Sequence, residues 1–206
     1  MTTKAQAVAV VGSYRRGGAV DSAVALVMSG LEARGATCRT VYLRDCRIEF
    51  CTNCRSCLQA PGPERGRCVL RDDMGMLLDW IGSADVLVLG APTNAGGVNA
   101  LTQRFIERCV CLAHWPWGAR APVLRNRARR KRSVLVSASG APAAIGRCLS
   151  GTLRSLKTVS RYLGARPVGT VWVGGVVERE VELPAGTARR ARRLAGKLVA
   201  GREHGP

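Results

Sequence analysis

Carboxylates are scarce in this sequence. It has 14 Asp and Glu residues against 32 Lys and Arg, and none of the 14 lies between Glu107 and Glu178. Arginines crowd into part of that stretch, from Arg120 to Arg132. The resulting field attracts anions such as nucleotides, phosphorylated cofactors, nucleic acid and acidic protein surfaces, although a solvated basic face is an equally good interpretation.

Long apolar runs are also missing. No stretch of 18 residues is free of charge or glycine, which excludes a membrane-spanning helix and predicts no membrane partner. The segment Met1–Gly12 does not resemble an export signal, and Asp21 interrupts the apolar core that a twin-arginine signal at Arg15-Arg16 would need. We therefore expect a cytoplasmic protein, folded as a single domain over residues 1–206.

Several chemical signatures are absent. The dinucleotide fingerprint G-x-G-x-x-G does not occur, and with only two histidines there is neither a histidine metal cluster nor a Ser-His-Asp arrangement. Of the two, His114 lies beside Trp115 and Trp117 in a segment that predicts core or interface packing more often than a substrate lid, and His204 lies near the C-terminus.

Apolar runs of strand length alternate with amphipathic segments of helical period. The predicted strands are residues 5–11, 37–43, 86–91, 134–138 and 168–173. The predicted helices are residues 19–34, 72–82 with Asp72 as the cap, 98–112, 145–163 and 187–200. This alternation predicts an α/β fold, a doubly wound five-stranded parallel sheet of order 2-1-3-4-5 with helices on both faces.

Ligands of such a sheet bind where the strand order reverses, outside the carboxyl ends of strands 1 and 3. The loop after strand 1, Gly12–Gly18, offers glycine amides, the Ser13 hydroxyl and the Arg15 charge at the positive end of a helix, which favours a phosphate. An ordinary glycine-rich turn is the alternative.

Two further loops share this edge of the sheet. They are Ala91–Gly97 after strand 3 and Ser137–Ala141 after strand 4, and both consist of small and polar residues. Three such loops predict a shelf for a planar cofactor with a single phosphate, for which FMN is the best match.

Four motifs resemble a known family. They are G-S-x-R-x-G-G before the first helix, C-x2-C-x2-C followed by C-V-x-x-D-D-M, A-D-V-L-V-L-G-A-P, and L-T-Q-R-F-I-E-R. Together they resemble the NADPH-dependent FMN reductase branch of the flavodoxin-like superfamily, which is close to the iron-sulfur flavoproteins. The resemblance runs from Val8 to about Arg108, with the Ser137 loop in addition.

The resemblance implies a set of FMN-binding positions. Around the phosphate these are Ser13, Arg15, Gly18, Ala19 and Val20; along the ring they are Pro92, Thr93, Asn94, Ala95 and Gly96, with Ser137, Ser139 and Gly140 on the third loop. Two departures from the family pattern weaken the expected affinity for FMN. Ala19-Val20 replaces a pair that usually carries a hydroxyl, and Asn94 stands where an aromatic residue is common.

A loop rich in cysteine follows strand 2. Its thiols Cys51, Cys54, Cys57 and Cys68 are a possible ligand set for a [4Fe-4S] cluster, zinc is a second reading, and reduced, unligated thiols are a third. Spacing alone does not choose among thiolate ligands.

The function implied by the resemblance is an FMN-dependent NAD(P)H oxidoreductase. It would pass electrons to a small oxidised acceptor, such as a flavin, a quinone, a nitro or azo compound or a pathway metabolite, and would assemble as a homodimer or homotetramer. The segment Arg120–Lys131 would favour NADPH by binding its 2′-phosphate. The alternatives are an iron-sulfur flavoprotein with a ferredoxin-like partner and a nucleic-acid module without flavin.

Overall fold

Five parallel strands form the main sheet of the computed structural model, which describes residues 4–128 and 130–200. These strands are β1 (Gln6–Val11), β2 (Thr37–Tyr42), β3 (Val86–Asn94), β7 (Lys131–Ala138) and β8 (Ala165–Val173). Their order is β2-β1-β3-β7-β8. This confirms the predicted order 2-1-3-4-5, in which β7 and β8 are the fourth and fifth strands.

Short strands complete the β-structure. β4 (Gly97–Val98) pairs antiparallel with the end of β3, and β5 (Ala113–His114) pairs antiparallel with β6 (Val123–Leu124). The helices are α1 (Ala19–Glu32), α2 (Ser56–Gln59), α3 (Met74–Ser83), α4 (Ala100–Arg108), α5 (Ala143–Leu149), α6 (Thr152–Tyr162) and α7 (Ala185–Val199). None of the helices in residues 4–128 and 130–200 is long and apolar enough to cross a bilayer. His204 lies outside the described residues.

Side chains of each strand alternate between two apolar layers because the pleat has a period of two. In β1, Ala7 and Ala9 belong to the core under α1 and α7, whereas Val8 and Val10 belong to the core under α3, α4 and α6. Helices α1 and α7 approach closely, since a Cβ on Gly30 would lie 2.8 Å from Cβ of Ala195. The predicted covering of both faces is confirmed.

The predicted helix over residues 145–163 is wrong in its continuity. Ser150 is extended, with ψ 148°, and divides the segment into α5 and α6. The backbone N–H of Gly151 donates to the carbonyl of Gly96 at 2.7 Å, so the break brings the start of α6 against the turn after β3. A tertiary hydrogen bond thus overrides local helical propensity.

Candidate cofactor cleft

A cleft of about 360 Å³ opens at the carboxyl edge of the sheet, where the loops after β1, β3 and β7 meet. It lies at the reversal of strand order, where ligands of doubly wound sheets bind. Its lining residues are Ser13, Tyr14, Arg15, Gly18, Ala19, Val20, Pro92, Thr93, Asn94, Ala138, Ser139, Gly140 and Val176. Most of the positions implied by the family resemblance therefore lie around one cavity.

One end of the cleft is suited to an anion. Helix α1 begins there, its N-cap is Gly18, and no side chain caps it. Its first backbone N–H groups carry the positive end of the helix dipole. Arg15 is exposed on the same loop, and its guanidinium forms no hydrogen bond or ion pair with any described residue. An amide cluster and an available cation thus face the same space.

The Ser13 hydroxyl shapes the loop at this end. It donates to the carbonyl of Arg15 at 3.0 Å and accepts from the Arg15 N–H at 3.1 Å. Asp21, in the first turn of α1, accepts from the N–H of Gly17 at 2.7 Å and from the Tyr42 hydroxyl at 2.9 Å. The loop is therefore held in its curved shape by Ser13 within it and by Asp21 of α1.

The loop that the sequence predicted after β3 is a tight hairpin. Ala95 and Gly96 have φ of 45° and 78° and connect β3 to β4. Positive φ at both central positions is typical of the type I′ turn. Both residues lie at the exposed tip and do not line the cleft, whereas Thr93 does, and its Oγ1 is 3.0 Å from Oγ1 of Thr152.

The loop after β7 contributes mostly shape. The Ser139 hydroxyl donates to the carbonyl of Ala141 at 2.9 Å and accepts from Nε1 of Trp172 at 3.0 Å. Its backbone N–H donates to Val173. Ser137 is fully buried beneath the cleft, 3.5 Å from Thr93 Oγ1. Ser139 and Gly140 therefore form part of the wall of the cleft, and Ser137 is buried beneath that wall.

Three lining residues were missed by sequence reasoning: Tyr14, Ala138 and Val176. Tyr14 is 47% exposed at the rim. Val176 reaches the cleft because its N–H donates to the carbonyl of Ser139 at 3.1 Å, which folds the segment after β8 back over the third loop. Tyr14 could have been found as an aromatic residue inside a glycine loop, whereas no local signal marks Val176.

A buried amide joins the first two loops. Asn99, which is 2% exposed, donates through Nδ2 to the carbonyl of Gly12. Its Oδ1 accepts from the N–H and hydroxyl of Thr102 and so caps α4. The approach is close enough that a Cβ on Gly12 would lie 1.9 Å from Oγ1 of Thr102. Glycine is therefore required at this position by contact.

The cysteine loop is anchored by a buried ion pair between Asp72 and Arg108, whose side chains are 1% and 2% exposed. Asp72 also accepts from the N–H of Glu49 at 2.8 Å and of Met74 at 3.1 Å. The second contact satisfies the N–H of the first residue of α3, but the N-cap is Asp73, one residue later than predicted, and its side chain forms no cap hydrogen bond. Burial on its own would raise the pKa of Asp72, but its hydrogen bonds from Arg108, Glu49 and Met74 hold the pKa below its ordinary value.

The four thiols differ in exposure. Cys57 is buried, Cys54 is exposed, and Cys51 and Cys68 are intermediate. Burial raises the pKa of Cys57, and the neighbouring charges of Cys68, Cys51 and Cys54 raise it further, which places the four in one neighbourhood. Within the described residues, however, no three Cys, His, Asp or Glu side chains converge closely enough to hold a metal ion.

The segment of His114, Trp115 and Trp117 packs onto the cysteine loop. The guanidinium of Arg55 lies 4.3 Å from the ring centre of Trp115 and 4.0 Å from that of Trp117. His114 Nε2 is 3.2 Å from the carbonyl of Gln59. These contacts support the expected packing role for this segment.

Two residues of the basic segment Arg120–Lys131 do not line the cleft, namely Arg125 and Lys131. Arg125 donates to the carbonyls of Ala113 at 3.0 Å, Gly62 at 3.1 Å and Cys57 at 3.1 Å. Lys131 starts β7, at the opposite edge of the sheet, and donates through Nζ to Ala84 at 2.7 Å. These two residues therefore do not support the predicted recognition of a 2′-phosphate beside the flavin.

The sheet order and the cleft at its reversal are those of a flavodoxin-like α/β fold. The model of the NADPH-dependent FMN reductase family matches residues 5–177, and the chain belongs to that family. This confirms the family predicted from the sequence.

One relative is similar to this chain in sequence, and two solved structures are similar to it in fold. An "Iron-sulfur flavoprotein" of Archaeoglobus fulgidus is 31% identical over 111 residues, 54% of this chain and 48% of that protein. The match thus spans about half the length of this curated relative. An FMN-dependent NADH-azoreductase of Bacillus anthracis in complex with FMN has a TM-score of 0.67 at 14% identity, covering 94% of this chain and 99% of that one. An NAD(P)H:quinone oxidoreductase of Methanothermobacter marburgensis has a TM-score of 0.68 at 18% identity, covering 94% and 98%.

Replacing Ala95 by Asn should stabilise the hairpin. An L-residue without a local hydrogen-bonding side chain costs about 1 kcal/mol in the left-handed region, and Asn tolerates that region better. We expect the free energy of unfolding in urea to rise by roughly 0.5–1 kcal/mol. Ala121→Asn, at an exposed position without positive φ, should leave it unchanged, and an equal effect of both substitutions would contradict the turn assignment.

Replacing Asp72 by Asn should destabilise the fold by about 3–5 kcal/mol at neutral pH, because Arg108 is left buried without its partner. Since the folded pKa of Asp72 lies below its unfolded value, its contribution is present above that unfolded value and is lost as pH falls through the folded one. Urea unfolding should therefore show the difference between wild type and variant shrinking as pH falls below the ordinary pKa of an aspartate.

Asp79→Asn is the matched control for this experiment. Asp79 pairs with Arg65 at 2.9 Å but is 70% exposed, so its loss should cost at most about 1 kcal/mol. A cost for Asp72→Asn as small as that of the control would show that the buried pair does not anchor the loop.

Proposed function

We propose that this chain is an FMN-dependent NAD(P)H oxidoreductase that delivers electrons to a small oxidised acceptor. The observation that carries the proposal is the cleft at the carboxyl edge, which combines an uncapped helix start with a shelf of small residues. Membership of the FMN reductase family supports the same conclusion.

The phosphate of FMN would bind at the start of α1. The backbone N–H groups of Ala19 and Val20 and the guanidinium of Arg15 are the proposed donors, with Gly18 allowing a close approach. The side chain of Val20 packs inward, since a Cβ on Gly90 would lie 3.0 Å from Val20 Cγ1. Val20 would therefore contribute its backbone where the family resemblance implies a hydroxyl, and Arg15 would carry more of the binding.

The ring of FMN would lie on the shelf formed by Pro92, Thr93 and Asn94, with Ala138, Gly140 and Val176 closing the opposite side. FMN, when bound, supplies the hydride and electron chemistry. The protein orients the ring and excludes water from it. Among the lining residues that the structure describes, none is Asp, Glu, His, Lys or Cys, so no side-chain acid or base of those types is proposed at the ring.

The acceptor and the assembly belong to this proposal as well. We propose a small-molecule acceptor, because the proteins of similar fold include an azoreductase and a quinone oxidoreductase by name. Two exposed apolar side chains support a homodimer or homotetramer. They are Leu149, the last residue of α5, and Val177, next to Val176, and each is 82% exposed. A cytoplasmic location would provide the reduced nicotinamide donor.

Replacing Arg15 by Ala tests the phosphate site. Loss of one charge-assisted contact should weaken FMN binding by about 1.5–3 kcal/mol, which is roughly tenfold to 150-fold in Kd. The measurement is a fluorescence titration of the apoprotein with FMN, repeated with riboflavin, which lacks the phosphate. Riboflavin affinity should be nearly the same for wild type and variant.

Arg120→Ala is the matched control, because Arg120 is exposed and does not line the cleft. It removes the same charge and should leave Kd for FMN within about twofold. Failure of the wild-type protein to bind FMN at all would overturn the proposed function. Equal weakening by both substitutions would assign the effect to the general positive field.

An iron-sulfur flavoprotein is the second candidate. It is favoured by the shared neighbourhood of Cys51, Cys54, Cys57 and Cys68 and by the name of the Archaeoglobus relative. The donor set suits a cluster, but the described thiols do not converge on one point, so no electron-transfer step is derived from it. Iron and acid-labile sulfide analysis after oxygen-free purification separates a cluster from zinc and from free thiols.

A further inference from the structure

A second, strongly basic cleft of about 600 Å³ lies at the amino edge of the sheet, where β7 and β8 begin. Parallel strands all start at one edge of the sheet and end at the other, so this cleft lies at the edge opposite the cofactor cleft. Its lining residues are Arg130, Lys131, Arg132, Arg166, Pro167, Val168, Lys197 and Ala200.

Strand register forces two of these cations together. Arg132 of β7 pairs directly with Arg166 of β8, and like charges opposite each other on neighbouring strands repel. Lys197, near the end of α7, and Arg130, just before β7, add their charges to the same cleft, and both are exposed. Without a bound anion, this arrangement is electrostatically unfavourable.

Other groups of the protein offset the repulsion among these cations only in part. None of the described lining residues is acidic. Asp85 acts on Lys131, where its charge opposes the lowering of the lysine pKa by burial. Lys131 donates to the carbonyls of Gly82 and Ala84, so it forms the floor of the cleft. Arg132 donates through Nη1 to the carbonyl of Lys197 at 2.7 Å, which fixes one guanidinium at the wall.

We propose that this cleft is a binding site for a small oligophosphate anion, separate from the redox site. A concave cavity of this size suits a small molecule rather than an extended strand. Guanidinium and ammonium groups around it match the charge density and hydrogen-bonding pattern of linked phosphates. The site is independent of the proposed oxidoreductase activity, and its ligand is either inorganic oligophosphate or the phosphate tail of a nucleotide.

The experiment compares two triple variants of the full, FMN-loaded chain. The test variant carries Arg130→Gln, Arg166→Gln and Lys197→Gln. Arg132 and Lys131 are left intact because their side chains bind carbonyls of the fold. The control variant carries Arg120→Gln, Lys157→Gln and Arg192→Gln, which removes the same net charge from exposed positions outside the cleft.

Calorimetric titration with inorganic tripolyphosphate at low salt is the principal measurement. We expect Kd to rise at least roughly tenfold in the test variant and to stay within about twofold in the control. Tripolyphosphate should also raise the thermal midpoint of wild type and control but not of the test variant. NADH oxidation without added phosphate should be the same in all three proteins, because NADH lacks the 2′-phosphate that Arg120–Lys131 is predicted to bind.

Further titrants identify the source of the ligand. ATP binding more tightly than tripolyphosphate, with the same dependence on the cleft, would assign the site to a nucleotide, and weaker ATP binding would assign it to inorganic oligophosphate. Equal losses in test and control variants would overturn the proposal in favour of a nonspecific field. A single-stranded oligodeoxynucleotide that depends on the cleft when tripolyphosphate does not would overturn it in favour of nucleic-acid binding.

Discussion

The side chain of Asn99 joins the two loops that form the cofactor cleft, and the remainder of the site depends on that connection. Its amide donates to the carbonyl of Gly12 after β1, and its oxygen caps the helix that follows the hairpin after β3. Both contacts are buried, so an unmatched partner would cost about 1–3 kcal/mol. The backbone N–H of Gly12 donates to Gly90 at 2.7 Å, which holds the loop against β3 at the same point.

A comparable anchor fixes the cysteine loop. The buried pair of Asp72 and Arg108 links α4 to both ends of that loop, because Arg108 donates to the carbonyl of Glu49 at 2.8 Å and contacts Sγ of Cys68 at 3.6 Å. Helix α4 therefore begins at the cofactor cleft and ends at the cysteine loop. One rigid element of nine residues positions the two regions in which sequence reasoning placed the chemistry.

Much of the fold could be predicted because apolar periodicity is a local signal. The runs at residues 5–11 and 86–91 are strands because they are apolar on both faces, and the glycine loop after β1 faces the cleft as expected. The predictions are wrong where a residue distant in sequence determines the local structure. The predicted helix over residues 145–163 is divided between α5 and α6, where the N–H of Gly151 donates to the carbonyl of Gly96. The hydroxyl of Ser139, predicted to bind the cofactor, instead accepts a hydrogen bond from Trp172.

By itself, the sequence determined the strand order, the edge at which the cofactor loops meet and the family, since these follow from hydrophobic pattern, glycine placement and short motifs. Only the tertiary structure decided which polar groups remain free for a ligand. Arg15 is available, whereas Ser13 and Ser139 are engaged. It also decided that Arg132 and Arg166 meet across two strands, because register depends on the packing of the whole sheet and not on either segment alone.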